Sequence, residues 1–271
     1  MKRNRLAVLV LALLAGCQSV DTTQPGSVGV ERHQRMAVSA QEVEDGSRKA
    51  YGQMMSEAQK KGALDRNPAQ LQRIQAITRR LVQQTPAFRP DAVKWPWEVH
   101  VLSLDEVNAW CMPGGKMAVY TGLIEKLQAT DDELAAVMGH EISHALREHA
   151  RERISRQMGT DLAIGVVGSL LGIGDLGQSV AGMAADVTLN LPHSRQQETE
   201  ADRIGVELAA RAGFNPHAAI TLWEKMQKLG GGGGGPQWLS THPSHENRIN
   251  DLRAYADRVT PLYQAAVAAK R

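Results

Sequence analysis

Two histidines four residues apart flank a glutamate in the motif HEISH at residues 140–144. On an α-helix, four residues make one turn plus about 40°, so His140 and His144 project from the same face and can share one metal ion. Glu141 lies beside this pair, where its carboxylate can take a proton from water and pass it to a leaving amine. The alternative is a surface helix whose histidines are merely solvated.

A capping signal precedes the helix that has to carry this motif. Thr130 followed by Glu133 forms a capping box, and two aspartates between them suit the positive end of the helix dipole. We expect this helix to run to about Arg151. Its apolar residues predict a buried helix, and a buried histidine pair with nothing to bind would be costly. Those apolar residues are Leu134, Val137, Met138 and Ile142.

A third metal ligand has to come from elsewhere in the chain, because a catalytic zinc takes three protein ligands and keeps one position for water. Three acids lie on a predicted helix over residues 194–212: Glu198, Glu200 and Asp202. Glu198 and Asp202 share a face, whereas Glu200 points away from it. One of the pair can bind the metal while the other accepts a ring N–H from a ligand histidine. The alternative is an acidic, solvated helix face.

Other candidate side chains are assigned no chemistry. His149, five residues beyond His144, is predicted to point away from the pair and to be solvated. The remaining histidines outside the motifs are expected on the surface or in loops: His33, His193 and His217. Cys111 is predicted to be a small buried hydrophobe, since neither a helix start nor a basic cluster marks it as activated.

The composition is that of one ordinary soluble domain with appendages. The 271 residues are 42% hydrophobic and 22% charged, which excludes fibrous, disordered and polytopic membrane classes. Lysine and arginine (31) nearly balance aspartate and glutamate (29), so the charge gives no reason to expect nucleic acid as a partner.

The first residues have the pattern of an export signal. Basic residues precede an apolar run over residues 6–15, which is too short to span a bilayer. The run ends LAGC at residues 14–17, which resembles a bacterial lipobox. This resemblance implies a lipoprotein signal peptide over residues 1–16, cleavage before Cys17 and lipidation of that cysteine. The alternative is a plain secretory signal with an incidental cysteine. By analogy with enterobacterial lipoproteins, Gln18 after the cysteine favours the outer membrane.

The rest of the chain is predicted to be mostly helical with one small sheet, an α+β fold. Residues 17–44 are predicted to be a tether, 45–260 a single domain and 261–271 a C-terminal tail. Helices are expected over 68–84, 194–212 and from Ser244 to about Val259, and strands over 97–102 and 116–121. The glycines at 230–235 predict a flexible loop.

One apolar segment has two interpretations. Residues 162–173 are too few to span a bilayer. They are predicted to form a buried helical hairpin beside the active-site helix, the alternative being a mobile hydrophobic lid or a flap that leans on the membrane.

Four ordered motifs resemble the zinc metallopeptidase family of HtpX and the CAAX prenyl endopeptidases, and most of all its short, lipid-anchored periplasmic members. The first precedes the HEISH helix, and the last lies near the C-terminus. The chain departs from the membrane-embedded members because no transmembrane helix follows its signal. The motifs are residues 108–124, HEISH at 140–144, SRQQETEAD at 194–202 and THP with a following arginine at 241–248.

The resemblance implies a zincin-like metallopeptidase domain with one Zn²⁺ per chain. It places the third ligand at Glu198, with Asp202 as the partner of a ligand histidine. His242 would approach the metal, either capping a resting site or stabilising the oxyanion, the alternative being a surface loop. Arg248 would bind a substrate carbonyl or a developing negative charge, the alternative being a helix-end salt bridge. The strand over 116–121 would be an edge to which a peptide substrate adds.

The expected function is that of a zinc-dependent endopeptidase (HExxH…ExxxD) in the bacterial envelope, with Glu141 as general base. Its substrates would be misfolded or unassembled envelope proteins. Lipidated Cys17 would anchor it to the outer membrane, facing the periplasm. The alternative is an assembly or chaperone-like factor that works with the outer-membrane assembly machinery and has a latched, rarely active zinc site.

Overall fold

Helices carry most of the fold in the computed structural model, which describes residues 18–170, 180–230, 236–243 and 247–269. The strands are β1 (Gln18–Val20), β2 (Gln34–Met36), β3 (Glu98–Leu102), β4 (Ala109–Met112) and β5 (Lys116–Tyr120). The helices are α1 (Ala40–Lys60), α2 (Pro68–Val82), α3 (Thr121–Lys126), α4 (Asp131–Leu146), α5 (His149–Leu170), α6 (Val180–Leu189), α7 (Arg195–Arg211), α8 (Ala218–Gly230), α9 (Gln237–Thr241) and α10 (Arg248–Ala268).

Several predictions fall on residues outside these ranges. They concern the signal peptide at 1–16, Cys17, the glycines at 231–235 and the predicted cap Ser244. Of the apolar segment 162–173, the helical backbone of α5 is described as far as Leu170. Within the described residues, no helix combines the length and the apolar character needed to cross a bilayer.

A three-stranded sheet lies beside the helices in the order β3-β5-β4, with β5 parallel to β3 and antiparallel to β4. The strands predicted at 97–102 and 116–121 are confirmed as β3 and β5. The prediction that 116–121 is an edge strand is wrong, because β5 is hydrogen-bonded on both sides. The strand β4, which was not predicted, follows loop 103–108 and turns through residues 113–115 into β5. The strands β1 and β2 form a second, two-stranded antiparallel sheet.

The central helix α4 begins at the predicted cap. Thr130 and Glu133 form the reciprocal capping box, so the helix start is fixed by local hydrogen bonds. The helix ends at Leu146, before the predicted end near Arg151. Glu148 then adopts a left-handed conformation (φ 49°), and a new helix begins at His149. A non-glycine residue at positive φ interrupts helical geometry, so the residues on either side no longer share one helical phase.

Helix α7 also begins with a capping box, which was not predicted, and it crosses α4 at very short range. The hydroxyl of Ser194 accepts a hydrogen bond from the backbone N–H of Gln197, and Gln197 closes the capping box. At the crossing, Gly205 faces Gly139 and His140, and a Cβ atom on Gly205 would lie 2.7 Å from the backbone nitrogen of His140. Two glycines therefore allow the two backbones to touch.

From Gln18 onward the N-terminal segment is packed against the domain, so the prediction that residues 17–44 are a tether is wrong for the residues described. Val28 and Val30 are buried in the main hydrophobic core. The side-chain amide of Gln34 donates a hydrogen bond to the backbone carbonyl of Arg147 at 2.7 Å. Ser39 caps α1, which begins before the predicted domain boundary. Isolated apolar residues in a polar segment give no periodic signal, although each can still fill a core position.

The last helix extends further than predicted. α10 continues through Pro261 to Ala268, so the prediction of a separate tail from residue 261 is wrong for the residues described. Proline lacks the N–H of one helical hydrogen bond. Leu262 and Tyr263 pack against the main core beyond it, and this packing maintains the helix past the proline.

Candidate metal centre

The histidines of the HEISH motif lie on one buried face of α4. The Nε2 atoms of His140 and His144 are 3.0 Å apart, and their ring centroids are separated by 4.7 Å. This distance follows from the i, i+4 spacing, which directs both rings to the same side of the helix. Both nitrogens therefore face a common point.

Helix α7 brings two carboxylates to this pair. An oxygen of Glu198 lies 3.3 Å from Nε2 of His144, and its other oxygen lies 3.7 Å from Nε2 of His140. Asp202, one turn later, accepts a hydrogen bond from Nδ1 of His140 at 2.9 Å. An N–H at Nδ1 leaves the lone pair of Nε2 free to face the common point.

His242 completes the cluster from the C-terminal part of the chain. One ligand atom from each of His140, His144, Glu198 and His242 lies within 4.8 Å of the others, and all four residues are buried. The His242 ring stacks on Trp238, with centroids 4.5 Å apart. Its Nδ1 faces the Trp238 carbonyl at 3.1 Å, so its Nε2 is the atom directed into the cluster.

The cluster fits a divalent metal ion. Oε1 of Glu198 and Nε2 of His242 are buried without a hydrogen-bond partner among the residues that the structure describes. Unpaired polar atoms inside a protein are costly, and coordination to a cation would satisfy both. Imidazole nitrogens together with one carboxylate form a donor set that suits zinc.

Glu141 lies next to the cluster and is buried. Its carboxylate accepts a hydrogen bond from the indole N–H of Trp238 at 2.7 Å and lies 3.4 Å from Nε2 of His242. Burial raises the pKa of Glu141 to about 8, against the opposing effects of Trp238 and the cation of Arg248. A carboxyl group held in this way is suited to accepting and returning a proton near neutral pH.

Arg248 is buried and bound to both carboxylates of α7. Its guanidinium donates hydrogen bonds to Glu198 at 2.8 Å and to Asp202 at 2.7 Å, and it lies over the ring of Trp223. A planar guanidinium can bridge two carboxylates that a lysine ammonium could bind only as a point charge. Arg248 therefore fixes the two acidic side chains relative to each other.

Two histidines to which the sequence assigned no chemistry lie against the cluster. The prediction that His149 is solvated and points away from the pair is wrong, whereas His193 lies in a loop, one of its two predicted alternatives, but is buried there. His149 is fully buried, with its Nδ1 2.8 Å from Nδ1 of His144. The helix break at Glu148 explains this position, since an extrapolation of α4 to residue 149 uses the wrong helical phase. His193 is 8% exposed and lies with its ring centroid 4.0 Å from that of His144.

Glu200 points away from the four clustered side chains, as its helical position indicates, but it is buried. It contacts Nε2 of His149 at 3.1 Å and the guanidinium of Arg147 at 3.0 Å. The only sequence signal for His193 is its position immediately before Ser194, which begins the helix with the acidic residues. No local pattern marks His149, because its burial depends on the turn between two helices.

The folded domain with an HExxH helix and a nearby acidic helix defines a metallopeptidase. Residues 68–256 match peptidase family M48, and the chain belongs to this family. The match excludes the N-terminal segment and covers every member of the cluster.

Curated relatives share this domain within longer chains. The mitochondrial metalloendopeptidase OMA1 of Arabidopsis thaliana is 41% identical over 152 residues, which are 56% of this chain and 30% of that protein. The human mitochondrial OMA1 is 34% identical over 176 residues, 61% of this chain and 32% of its own. The β-barrel assembly-enhancing protease of Escherichia coli is 30% identical over 97% of this chain and 54% of its own. The chain thus spans between about a third and a half of the length of these relatives.

Proposed function

We propose that the chain is a zinc-dependent endopeptidase. The observation that carries this proposal is the convergence of His140, His144 and Glu198, from two helices, on one buried point with Glu141 beside it. Two histidines and one carboxylate would hold the ion. When bound, zinc supplies Lewis acidity that polarises a peptide carbonyl and makes water a stronger acid.

The protein's own groups perform the proton transfers. Glu141 takes a proton from the attacking water and delivers it to the leaving nitrogen, so one carboxylate serves both halves of the reaction. Asp202 keeps the Nε2 lone pair of His140 available by accepting its Nδ1–H, and Arg248 holds Glu198 in place.

The peptide substrate adds to β4, the sheet edge nearest the site. The backbone N–H of Cys111 lowers the pKa of Glu141, so the middle of this strand lies close to the general base. Pairing through backbone groups makes cleavage tolerant of side-chain sequence. Such tolerance suits unfolded chains, whose backbone is available along their length.

The site of action is the bacterial envelope. The basic start, the short apolar run and LAGC at 14–17 support export and lipidation of Cys17, with anchoring to the outer membrane facing the periplasm. The similarity to a protease named for enhancing β-barrel assembly supports misfolded or unassembled envelope proteins as substrates. That similarity extends over 97% of this chain.

The variant Glu141→Gln tests the endopeptidase. It retains the shape of the side chain and all proposed metal ligands but removes the base. We expect unchanged zinc content and a loss of casein cleavage of at least roughly 100-fold. The control is Glu57→Gln, which alters an exposed glutamate on α1 and should cleave like the wild type. Retained cleavage by zinc-loaded Glu141→Gln protein would contradict the assignment of the base.

A second function is favoured by the closed state of the site. His140, His144 and His242 are at most 5% exposed, and Trp238 packs against both His140 and His242. A latched site of this kind suits an assembly factor that binds unfolded outer-membrane proteins or their insertion machinery and rarely cuts them. Full rescue of an envelope defect by Glu141→Gln would support this function, whereas failure to rescue would support proteolysis.

A further inference from the structure

His149 continues a hydrogen-bonded chain that starts at the proposed metal ligand His144. Its ring packs edge-on against His144 with centroids 4.9 Å apart, and the two Nδ1 atoms are 2.8 Å apart. The left-handed conformation of Glu148 turns the chain so that the first residue of α5 faces back toward α4. His149 is fully buried, so water does not compete for either nitrogen.

The other nitrogen of His149 faces a carboxylate that is held ionised. Nε2 of His149 lies 3.1 Å from Glu200, which also accepts hydrogen bonds from Arg147 and from Arg32 in the N-terminal segment. Both guanidinium groups lie within ion-pair distance of this carboxylate, and because a guanidinium is always charged, the three groups form an ionic network around Glu200. An ionised carboxylate only accepts, and therefore Nε2 of His149 carries a hydrogen.

The hydrogen on Nε2 of His149 determines which ring nitrogens of His149 and His144 carry the other hydrogens. A neutral His149 with its hydrogen on Nε2 has a lone pair on Nδ1, which accepts a hydrogen bond from Nδ1–H of His144. His144 then has no hydrogen on Nε2, the atom that faces Glu198 and His140. The contacts thus select the tautomer of His144 that can bind a metal.

We propose that His149 and Glu200 are positioning residues that hold His144 in its metal-binding tautomer and orientation. This inference rests on the metal site of the proposed function. Asp202 orients His140 through a direct hydrogen bond, and Glu200 would orient His144 in the same way through the imidazole of His149. Arg32 ties the outer end of this chain to a segment that lies before the residues matched by the family.

The test measures metal binding directly. His149→Phe keeps a planar ring but removes both nitrogens, and we expect zinc affinity, measured by competition with a chelator, to fall roughly 10- to 100-fold. The absorption spectrum of the Co²⁺-loaded variant should also change, since the ligand geometry at His144 is no longer fixed. Glu200→Gln keeps an acceptor oxygen without the charge, so its loss of affinity should be smaller.

His193→Phe is the matched control. His193 is also a buried histidine against His144, but its nitrogens face Arg153 at 3.2 and 3.4 Å. An affinity within a few-fold of the wild type for this variant, with a large loss for His149→Phe, supports the positioning role.

The remaining outcomes overturn the inference. Equal losses of zinc affinity for His149→Phe and His193→Phe would show that packing alone matters. The same conclusion would follow if His149→Phe failed to fold and Glu200→Gln protein bound zinc as tightly as the wild type. Wild-type protein that binds neither zinc nor Co²⁺ would overturn the metal site, and with it the proposed function. Wild-type binding with an unchanged His149→Phe variant would overturn only the positioning role.

Discussion

At the scale of single residues, His242 occupies the position that decides whether the proposed metal centre is open or capped. Its Nε2 is buried, has no hydrogen-bond partner within the described part of the chain and lies within 4.8 Å of the other three proposed ligand atoms. Trp238 stacks on the ring and donates its indole N–H to Glu141, so one short segment covers both the metal site and the general base. This arrangement favours the capping role over the surface loop that the sequence also allowed.

The variant His242→Ala tests the latch. Removing the fourth imidazole should raise basal casein cleavage while zinc content stays the same, because His140, His144 and Glu198 remain. His33→Ala is the control, since it removes a histidine that is 71% exposed. Lower cleavage with full zinc content would instead assign His242 to the stabilisation of the oxyanion.

At the scale of secondary-structure elements, the crossing of α4 and α7 determines the geometry of the site. Capping boxes at Thr130 and Ser194 define where the two helices begin, and the first of them was predicted from the sequence. The distance between the helices depends on Gly139 and Gly205, whose backbones are in contact. Any Cβ at this crossing separates Glu198 from the histidines of α4.

Gly205→Ala should weaken the proposed metal site by moving α7, which carries Glu198, away from α4. The added methyl group would lie 2.7 Å from the backbone nitrogen of His140, so α7 has to shift. We expect the free energy of unfolding to fall by about 1–3 kcal/mol and zinc affinity to fall with it.

Gly52→Ala is the control for this substitution. Gly52 is exposed within α1, and a Cβ atom there would meet no neighbour within 4 Å. The substitution should leave zinc affinity unchanged and stabilise the protein by about 0.5–1 kcal/mol. Equal behaviour of the two alanine variants in urea unfolding would contradict the importance of the crossing.

At the scale of the whole molecule, the N-terminal segment is part of the domain. Val28 and Val30 lie in the main core, and Arg32 and Gln34 bond to acidic residues close to the metal centre. This segment precedes the residues matched by the family, so the fold of this chain needs more than the family region. A membrane anchor at Cys17 would hold the active site close to the surface rather than on a long tether.

Val28→Ala distinguishes a packed segment from a tether. Removing two buried methyl groups should lower the free energy of unfolding by about 2 kcal/mol, measured in urea. Val93→Ala, at a side chain that is 40% exposed, should change it by less than about 0.5 kcal/mol. A tether would show no difference between the two variants.

The sequence alone determined the features that depend on local spacing. These features are the i, i+4 pairs His140/His144 and Glu198/Asp202, the capping box at Thr130 and two of the three strands of the main sheet. They follow from periodicity and short-range hydrogen bonding, which act within a few residues. The strand β4 lacked such a signal, because its residues are buried on both faces and do not alternate.

Only the tertiary structure decided which distant residues share a neighbourhood. Local sequence patterns did not predict that His149 and His193 are buried against the cluster. Their burial depends on a left-handed residue and on the packing of separate helices. The N-terminal segment was predicted to be a tether because its apolar residues are isolated and show no periodicity. A core nevertheless accepts single side chains from any part of the chain. Packing makes the contacts between residues that are far apart in sequence, and it requires no periodic pattern in the segments that it brings together.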